Sequence, residues 1–146
     1  MDTQDKHHES SRLETGIAVL KEMELDLGNP HGLLHGMRVN APAFKQRTIE
    51  MFGEFYGGEQ AIDLKTKLLL ATALAATQPS EEGGLEFHVA AAIKAGWSKL
   101  EVVNVIELTA FFVGWQKAIK AMQVAIQTFD KIDQLAPQGQ EISHAG

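Results

Sequence analysis

The chain has 146 residues and a net charge of −6, which indicates one domain large enough to bury a core. Because phosphate binding needs clustered Lys and Arg, the acidic balance argues against a nucleic-acid partner. The sequence contains no cysteine, and this excludes disulfides, thiolate metal sites and thiol redox chemistry.

The sequence offers no candidate membrane-spanning segment. Its longest apolar run, residues 68–76, is too short to cross a bilayer, and the first residues are too polar for a signal peptide. We therefore expect a cytoplasmic protein with no membrane partner.

The composition predicts a single all-α domain between two tails. Residues 1–10 are polar without periodicity, and residues 136–146 combine Pro, Gly and polar side chains, so we expect both segments to be disordered. Residues 11–135 show helical periodicity, and no segment shows sustained alternation of apolar and polar residues. We expect six or seven helices.

Three helices are predicted in the first half of the domain. Residues 12–24 place apolar side chains at the spacing of one helix face. The next segment contains Gly32 and Gly36, which limit any helix there to a short one. Pro42 suits the first position of a third helix, which the Gly57–Gly58 pair ends.

Two apolar helices follow. Asp63 is a suitable N-cap for a helix over residues 64–77. A helix over residues 85–95 ends at Gly96, which suits a left-handed C-terminal cap.

The last two helices are separated by one glycine. Ser98 and Glu101 form the S-x-x-E capping box of a helix over residues 99–113. This helix is apolar on most of its surface, so we expect it to lie at the centre of the molecule. Gly114 ends it, and residues 115–135 form an amphipathic helix.

One histidine lies inside a helix that otherwise has the composition of a core segment. His88 shares a helix face with the small residues Gly84 and Ala91, so its imidazole is confined and partly dehydrated. A histidine in such a place can move protons near neutral pH. The alternative is a core histidine bonded to a backbone carbonyl, and the residues alone leave both interpretations open.

A carboxylate also lies in an apolar context. Glu107 falls within residues 102–113, and it needs a partner such as His88 or a lysine if it faces the core. The alternative is an exposed stripe that it shares with Asn104 and Lys117. Both interpretations stand at this stage.

Two histidines are spaced as a pair of metal ligands would be on a helix. His31 and His35 are four residues apart, but the glycine between them weakens a helix and no third ligand is evident. We therefore predict no metal site.

The stretch from Asp63 to Ala118 resembles the carboxymuconolactone decarboxylase family, the relatives of alkyl hydroperoxidase D. The likeness lies in three segments: LKTKLLLATALAA, then LEFHVAAAIKAGWS with its His-x(2)-Ala-Ala-x(3)-Gly pattern, then LEVVNVIELTAFFVGWQKA. It extends less specifically over residues 12–130. It implies a helical bundle like that of alkyl hydroperoxidase D.

The resemblance distinguishes two branches of the family. The peroxidase branch carries a Cys-x-x-Cys pair before the histidine, and Glu81 and Gly84 occupy those two places here. Without a thiolate there is no disulfide relay, so thiol peroxidase activity is excluded. The chain is more similar to the decarboxylase branch, which lacks the pair and keeps the histidine.

That branch implies decarboxylation of a small carboxylated lactone in aromatic catabolism, without a cofactor. Decarboxylation needs an acid to protonate carbon and a donor to the developing oxyanion. His88 is the leading candidate for either role, and His31 and Glu107 are further catalytic candidates.

The same resemblance implies an anionic substrate. Its carboxylates need a cation, which Arg38 or Arg47 could supply. Trp115 is a further candidate for substrate binding.

Two further expectations accompany this interpretation. Gly83–Gly84 and Asn104 depart from the family pattern, so the alternative is a catalytically divergent protein that binds a small molecule.

Family members associate through apolar helices, so we also expect a homo-oligomer, a trimer or a hexamer.

Overall fold

The computed structural model describes residues 3–79 and 83–135, with side chains from residue 11 onward. Within these ranges every element of regular secondary structure is a helix, with no strand, as the periodicity predicts. The seven helices are α1 (Thr3–Met23), α2 (Met37–Asn40), α3 (Pro42–Tyr56), α4 (Leu64–Ala76), α5 (Gly84–Lys94), α6 (Lys99–Val113) and α7 (Trp115–Leu135). None of the described helices is long and apolar enough to cross a membrane.

The helices form two packed groups that meet at α5. α1 packs against α3, and α4, α6 and α7 pack around α5, which also contacts α1. α5 can occupy this position because the side chains on its buried face are small. Val89, Ala91 and Ala92 are fully buried there, and they let neighbouring helices approach closely. The core therefore surrounds the helix that carries His88.

α1 and α3 cross at two glycines. A Cβ atom at Gly16 would overlap the backbone oxygen of Ile49, and one at Gly53 would lie 2.6 Å from the backbone nitrogen of Gly16. Only glycine allows backbones to approach this closely. This contact places the end of α3, with Tyr56, beside α5.

The helix boundaries predicted from capping residues are confirmed. Asp63 accepts a hydrogen bond from the backbone N–H of Thr66 at 2.7 Å. Ser98 and Glu101 make both reciprocal bonds of the capping box. Pro42 occupies the first turn of α3, where a missing N–H costs nothing.

Two elements differ from the sequence expectation. α1 begins at Thr3, so helix extends through residues assigned to a polar tail, and Gln, Lys and Glu in that segment tolerate helix well. α6 is not central: Val102 and Ile106 are buried, whereas Leu108 and Phe111 are exposed. An all-round apolar helix can bury only one face within this chain. Residues 136–146 lie outside the described ranges.

A segment without regular structure connects α1 to α2. Residues 24–36, which we call the strap, lie against α5. At its start, the Lys94 ammonium donates to the carbonyl oxygens of Lys21 and Glu24 at 2.9 and 2.7 Å. These bonds satisfy carbonyls left open at the end of α1 and fix where the strap leaves the helix.

The connection between α6 and α7 is a single residue. Gly114 has φ of 97°, a backbone conformation that other residues rarely adopt, and α7 begins at the next residue. The predicted break is thus confirmed.

Candidate active site

The imidazole of His88 is fixed by the turn of helix that precedes it. Its Nδ1 atom lies 2.8 Å from the carbonyl oxygen of Gly84, one turn earlier. The His88 carbonyl in turn accepts a 3.1 Å hydrogen bond from the hydroxyl of Thr72 on α4. The histidine is therefore held both at its ring and at its backbone.

The second ring nitrogen of His88 meets a phenol from the other helix group. The Tyr56 hydroxyl lies 3.0 Å from Nε2. Because Gly84 offers only a carbonyl oxygen, Nδ1 must carry a proton and donate it. In the neutral imidazole Nε2 then has a lone pair, so it accepts the hydrogen bond that Tyr56 donates.

Burial keeps both members of this pair neutral. It lowers the pKa of His88 below its usual 6.5, and the bond to the Gly84 carbonyl opposes part of that shift. It also raises the pKa of the Tyr56 phenol above its usual 10.0. Both side chains are partly buried, so the hydrogen bond between them is stronger than it would be in solution.

Two further aromatic rings complete a cluster around the pair. Phe52 stacks on Tyr56 with ring centroids 5.5 Å apart, and Phe87 meets both Phe52 and His88 edge to face, at 5.9 and 5.4 Å. Edge-to-face and offset arrangements are the favoured geometries for such rings. These ring contacts therefore fix the positions of Tyr56 and His88 relative to each other.

The strap has a cleft on each side, and Phe87 lines both. The first, which we call the acidic cleft, has a volume of about 390 Å³ and includes Glu24, Asp26 and Glu86 in its lining. The second, which we call the cationic cleft, has a volume of about 410 Å³. Its lining combines two cations and one carboxylate with apolar side chains and includes Arg38, Lys45, Glu24, His35, Leu20, Phe52 and Phe87.

The cations of the second cleft are available to a ligand. Arg38 comes from α2 and Lys45 from α3. Neither makes an ion pair with an acidic side chain in the part of the chain that the structure describes. Two unpaired cations beside aromatic rings suit a small anion with an unsaturated or apolar body.

A polar cluster holds the strap to α5 and α7. Lys131 on α7 pairs with Glu86 on α5 and donates to Asn29 of the strap at 3.0 Å. The Asn29 amide donates to the second oxygen of Glu86, also at 3.0 Å. Glu86 is partly buried and paired, because a lysine 45 residues away reaches it.

The structure does not bring the predicted site residues into one lining. His31 lines the acidic cleft, Arg38 lines the cationic cleft, and His88 contacts Phe87, which lines both. Arg47 is exposed on α3 and lines neither of these clefts.

Two other predicted residues lie elsewhere. Glu107 is exposed, so its buried, paired interpretation is wrong, and it is not among the hydrogen-bond partners of His88. Trp115 is also exposed and shares a small apolar depression with Glu107 and Met122. The exposed stripe is the interpretation that fits Glu107.

The two strap histidines stack on each other. The rings of His31 and His35 have centroids 3.9 Å apart. Over residues 11–79 and 83–135, where side chains are described, the structure holds no group of three or more His, Asp or Glu that could bind a metal ion. Glu81, which takes the place of the first family cysteine, lies outside the described residues.

Sequence reasoning missed Tyr56 as the partner of His88. It is the only tyrosine in the chain, and it lies one turn after Phe52 on α3. That spacing places the two rings on one helix face. The pattern could have indicated an aromatic face, but it could not have shown which residue 32 positions away that face meets.

Comparisons with known proteins bear on the same region. The model of the carboxymuconolactone decarboxylase family matches residues 42–127, more than half of the chain. The match includes Tyr56 and His88 and excludes α1 and the strap. No curated protein matches the chain.

Proposed function

Because the chain belongs to the carboxymuconolactone decarboxylase family, we propose that it removes CO2 from a small carboxylated lactone without a cofactor, with His88 as the proton source. The observation that carries the proposal is the Tyr56–His88 hydrogen bond. In this arrangement a partly buried imidazole has one nitrogen bonded to the backbone and the other bonded to a hydroxyl that can pass a proton on.

The proposed reaction consumes one proton. The bond from the carboxylate carbon to the ring breaks, CO2 leaves, and the electron pair is delocalised into the lactone carbonyl. A proton then adds to carbon, and a donor near the carbonyl oxygen stabilises the intermediate. His88 supplies that proton and takes up another from solvent.

The cationic cleft is the proposed substrate site. Arg38 and Lys45 bind carboxylates, and Phe52 and Phe87 contact the unsaturated ring. The two phenyl rings of this lining also contact Tyr56 and His88, respectively, so a ligand in the cleft lies beside the aromatic cluster.

The first experiment follows the loss of 4-carboxymuconolactone with the wild-type protein and with His88→Gln. We expect turnover by the wild type and a loss of about 10²–10⁴-fold in kcat for the variant, the usual contribution of a general acid. A folded wild-type protein with no turnover, or a fully active variant, would contradict the proposal.

A second experiment tests the substrate site. Arg38→Gln and Lys45→Gln should each raise KM by roughly tenfold or more, because a charged hydrogen bond is lost. Lys120→Gln is the matched control, since this lysine is exposed on α7 away from the lining. Equal effects of all three substitutions would show that the cleft is not the site.

One observation favours a second candidate function, the binding of a small anion without catalysis. The linings of the two clefts beside the strap include neither Tyr56 nor His88. A carboxylate that binds with an affinity dependent on Arg38, together with no turnover of any lactone offered, would support this candidate over the enzyme.

A further inference from the structure

The hydrogen-bonding capacity of His88 is fully used within the protein. Nδ1 is occupied by the Gly84 carbonyl and Nε2 by the Tyr56 hydroxyl. An imidazole has only these two polar atoms. A ligand therefore cannot bond to the ring without displacing Tyr56.

The phenol oxygen, in contrast, has capacity left. A phenol donates one hydrogen bond and can accept at its oxygen. Among the residues that the structure describes, His88 is the only hydrogen-bond partner of this hydroxyl. The open position of the pair is thus on Tyr56.

The protonation state of His88 determines whether the Tyr56 hydroxyl can donate a hydrogen bond to a ligand or can only accept one. When His88 is neutral, the Tyr56 O–H points at Nε2, and the phenol oxygen can offer another partner only a lone pair. When His88 is protonated, Nε2 becomes the donor to the phenol oxygen, and the O–H is free to donate to another partner. One proton on the imidazole therefore reverses the polarity of a group 3.0 Å away.

We propose that Tyr56, not His88, is the residue that contacts the substrate, which reaches it past Phe52, the ring of the cationic cleft that stacks on Tyr56, and that the protonation state of His88 switches the phenol hydroxyl between acceptor and proton donor. The inference rests on the proposed function and adds a catalytic residue to it. The ligand class is a small carboxylate or lactone enolate, an acceptor that selects the donor form.

The proton step is balanced through both groups. After CO2 leaves, the Tyr56 O–H bond breaks and its proton forms the new C–H bond of the product. The proton on Nε2 of His88 passes to the phenol oxygen and restores the hydroxyl. His88 is left neutral and takes a proton from solvent before the next cycle, so no oxidant or cofactor is needed.

The neighbouring helices bring no other charged group to His88. α4 contributes the Thr72 hydroxyl, bonded to the His88 backbone. α7 contributes Lys131, which is bonded to Glu86. From the end of α1, Glu24 presents a carbonyl to Lys94, and the residues that α6 buries, such as Ile106, are apolar. Among the side chains that the structure describes, Tyr56 on α3 is the only titratable one bonded to the ring.

The single tyrosine of the chain makes the switch directly observable. In protein labelled with 13C at the tyrosine Cζ, the one signal reports the bonding of Tyr56 and needs no substrate. We expect it to move between about pH 5 and pH 8 with a midpoint below 6.5, because burial lowers the pKa of His88. His88→Gln should abolish the movement, and His35→Gln, the matched histidine control, should keep it.

A reciprocal measurement does not depend on the Gln variant folding. Tyr56→Phe should change the midpoint of one histidine ring signal and leave the others in place. A tyrosine signal that stays still over this range, or moves equally in His88→Gln, would overturn the proposal. So would a Tyr56→Phe variant with unchanged histidine midpoints.

Kinetics separate this proposal from the proposed function. If the wild type turns over the lactone, Tyr56→Phe should lower kcat by about 10²-fold or more with little change in KM, and wild-type kcat should fall as pH rises through the pKa of His88. Full activity of Tyr56→Phe with an unchanged pH profile would overturn the role of Tyr56 and leave the decarboxylase standing. Absence of turnover would overturn the decarboxylase, and the tyrosine signal would still decide the switch.

Discussion

At the scale of single residues, His88 couples the stability of the fold to pH. Its pKa is lowered in the folded chain because burial removes water that stabilises the charged ring, and the Gly84 carbonyl offsets only part of that loss. Above the unfolded pKa of 6.5 both states hold a neutral ring, and the histidine adds no pH dependence. As pH falls through that value, the unfolded state binds a proton that the folded state does not.

The free energy of unfolding should therefore decrease as pH falls below 6.5, toward the lower pKa of the folded state. The decrease amounts to about 1.4 kcal/mol for each unit by which the pKa is lowered. Urea unfolding at pH 7.5 and pH 5.5 measures it in the wild type and in His88→Gln. The variant should lose this part of the decrease, and His35→Gln should retain it. Equal decreases in wild type and His88→Gln would contradict the assignment.

The sequence indicated His88 as a candidate site residue, but it did not indicate which side chains from other helices bond to α5. His88 and its possible backbone bond were visible in the sequence, because both ends of that bond lie within one turn of helix. Tyr56 and Lys131 were not, since each reaches α5 from another helix across a long stretch of chain. Such partners depend on how helices cross, which periodicity does not encode.

At the scale of elements, the crossing of α1 and α3 sets the position of Tyr56. The two helices are in contact through Gly16 and Gly53, with no space for a side chain between their backbones. Any atom added there must separate the helices. The separation would be transmitted along α3 to the ring cluster.

Gly16→Ala should lower the free energy of unfolding by about 1–3 kcal/mol, the usual cost of overpacking, although alanine is the better helix former. Thermal or urea unfolding measures the change. Gly32→Ala is the matched control, because a Cβ atom there meets nothing within 4 Å. A Gly16→Ala variant as stable as the control would show that the crossing can widen at no cost.

Local signals determined the element boundaries well. Asp63, Ser98 and Pro42 act within one turn of the residues they cap, so their effect can be predicted without the fold. The position of α6 could not be predicted in the same way. A helix that is apolar on all sides is expected to be covered on all sides. Its sequence does not show whether the covering residues belong to the same chain or to another copy.

At the scale of the whole molecule, one side of α6 forms an exposed apolar surface. Leu100, Leu108 and Phe111 follow one another on one face, and Phe111 is 86% exposed. Exposed apolar patches of this kind mark sites of association. Since the same face is present on every copy of the chain, we expect a homo-oligomer that buries it.

Light scattering after size exclusion should give the mass of a trimer or hexamer for the wild-type protein. Phe111→Glu should shift the mass toward the monomer, because a charge would be buried without a partner. Gln123→Glu places the same charge on an exposed polar position of α7 and should leave the mass unchanged. A monomeric wild type, or an intact assembly of Phe111→Glu, would contradict the expectation.

The single-residue link at Gly114 has a consequence for how two copies could exchange parts. If that glycine took helical angles, α6 and α7 would join into one rod of about 55 Å. α7 would then leave its own bundle and could insert into the equivalent position of another copy, with every native contact reformed between chains. The positive φ of Gly114 turns the chain between α6 and α7 and so keeps α7 within its own chain, and dihedral changes at this one residue separate a closed protomer from a domain-swapped pair.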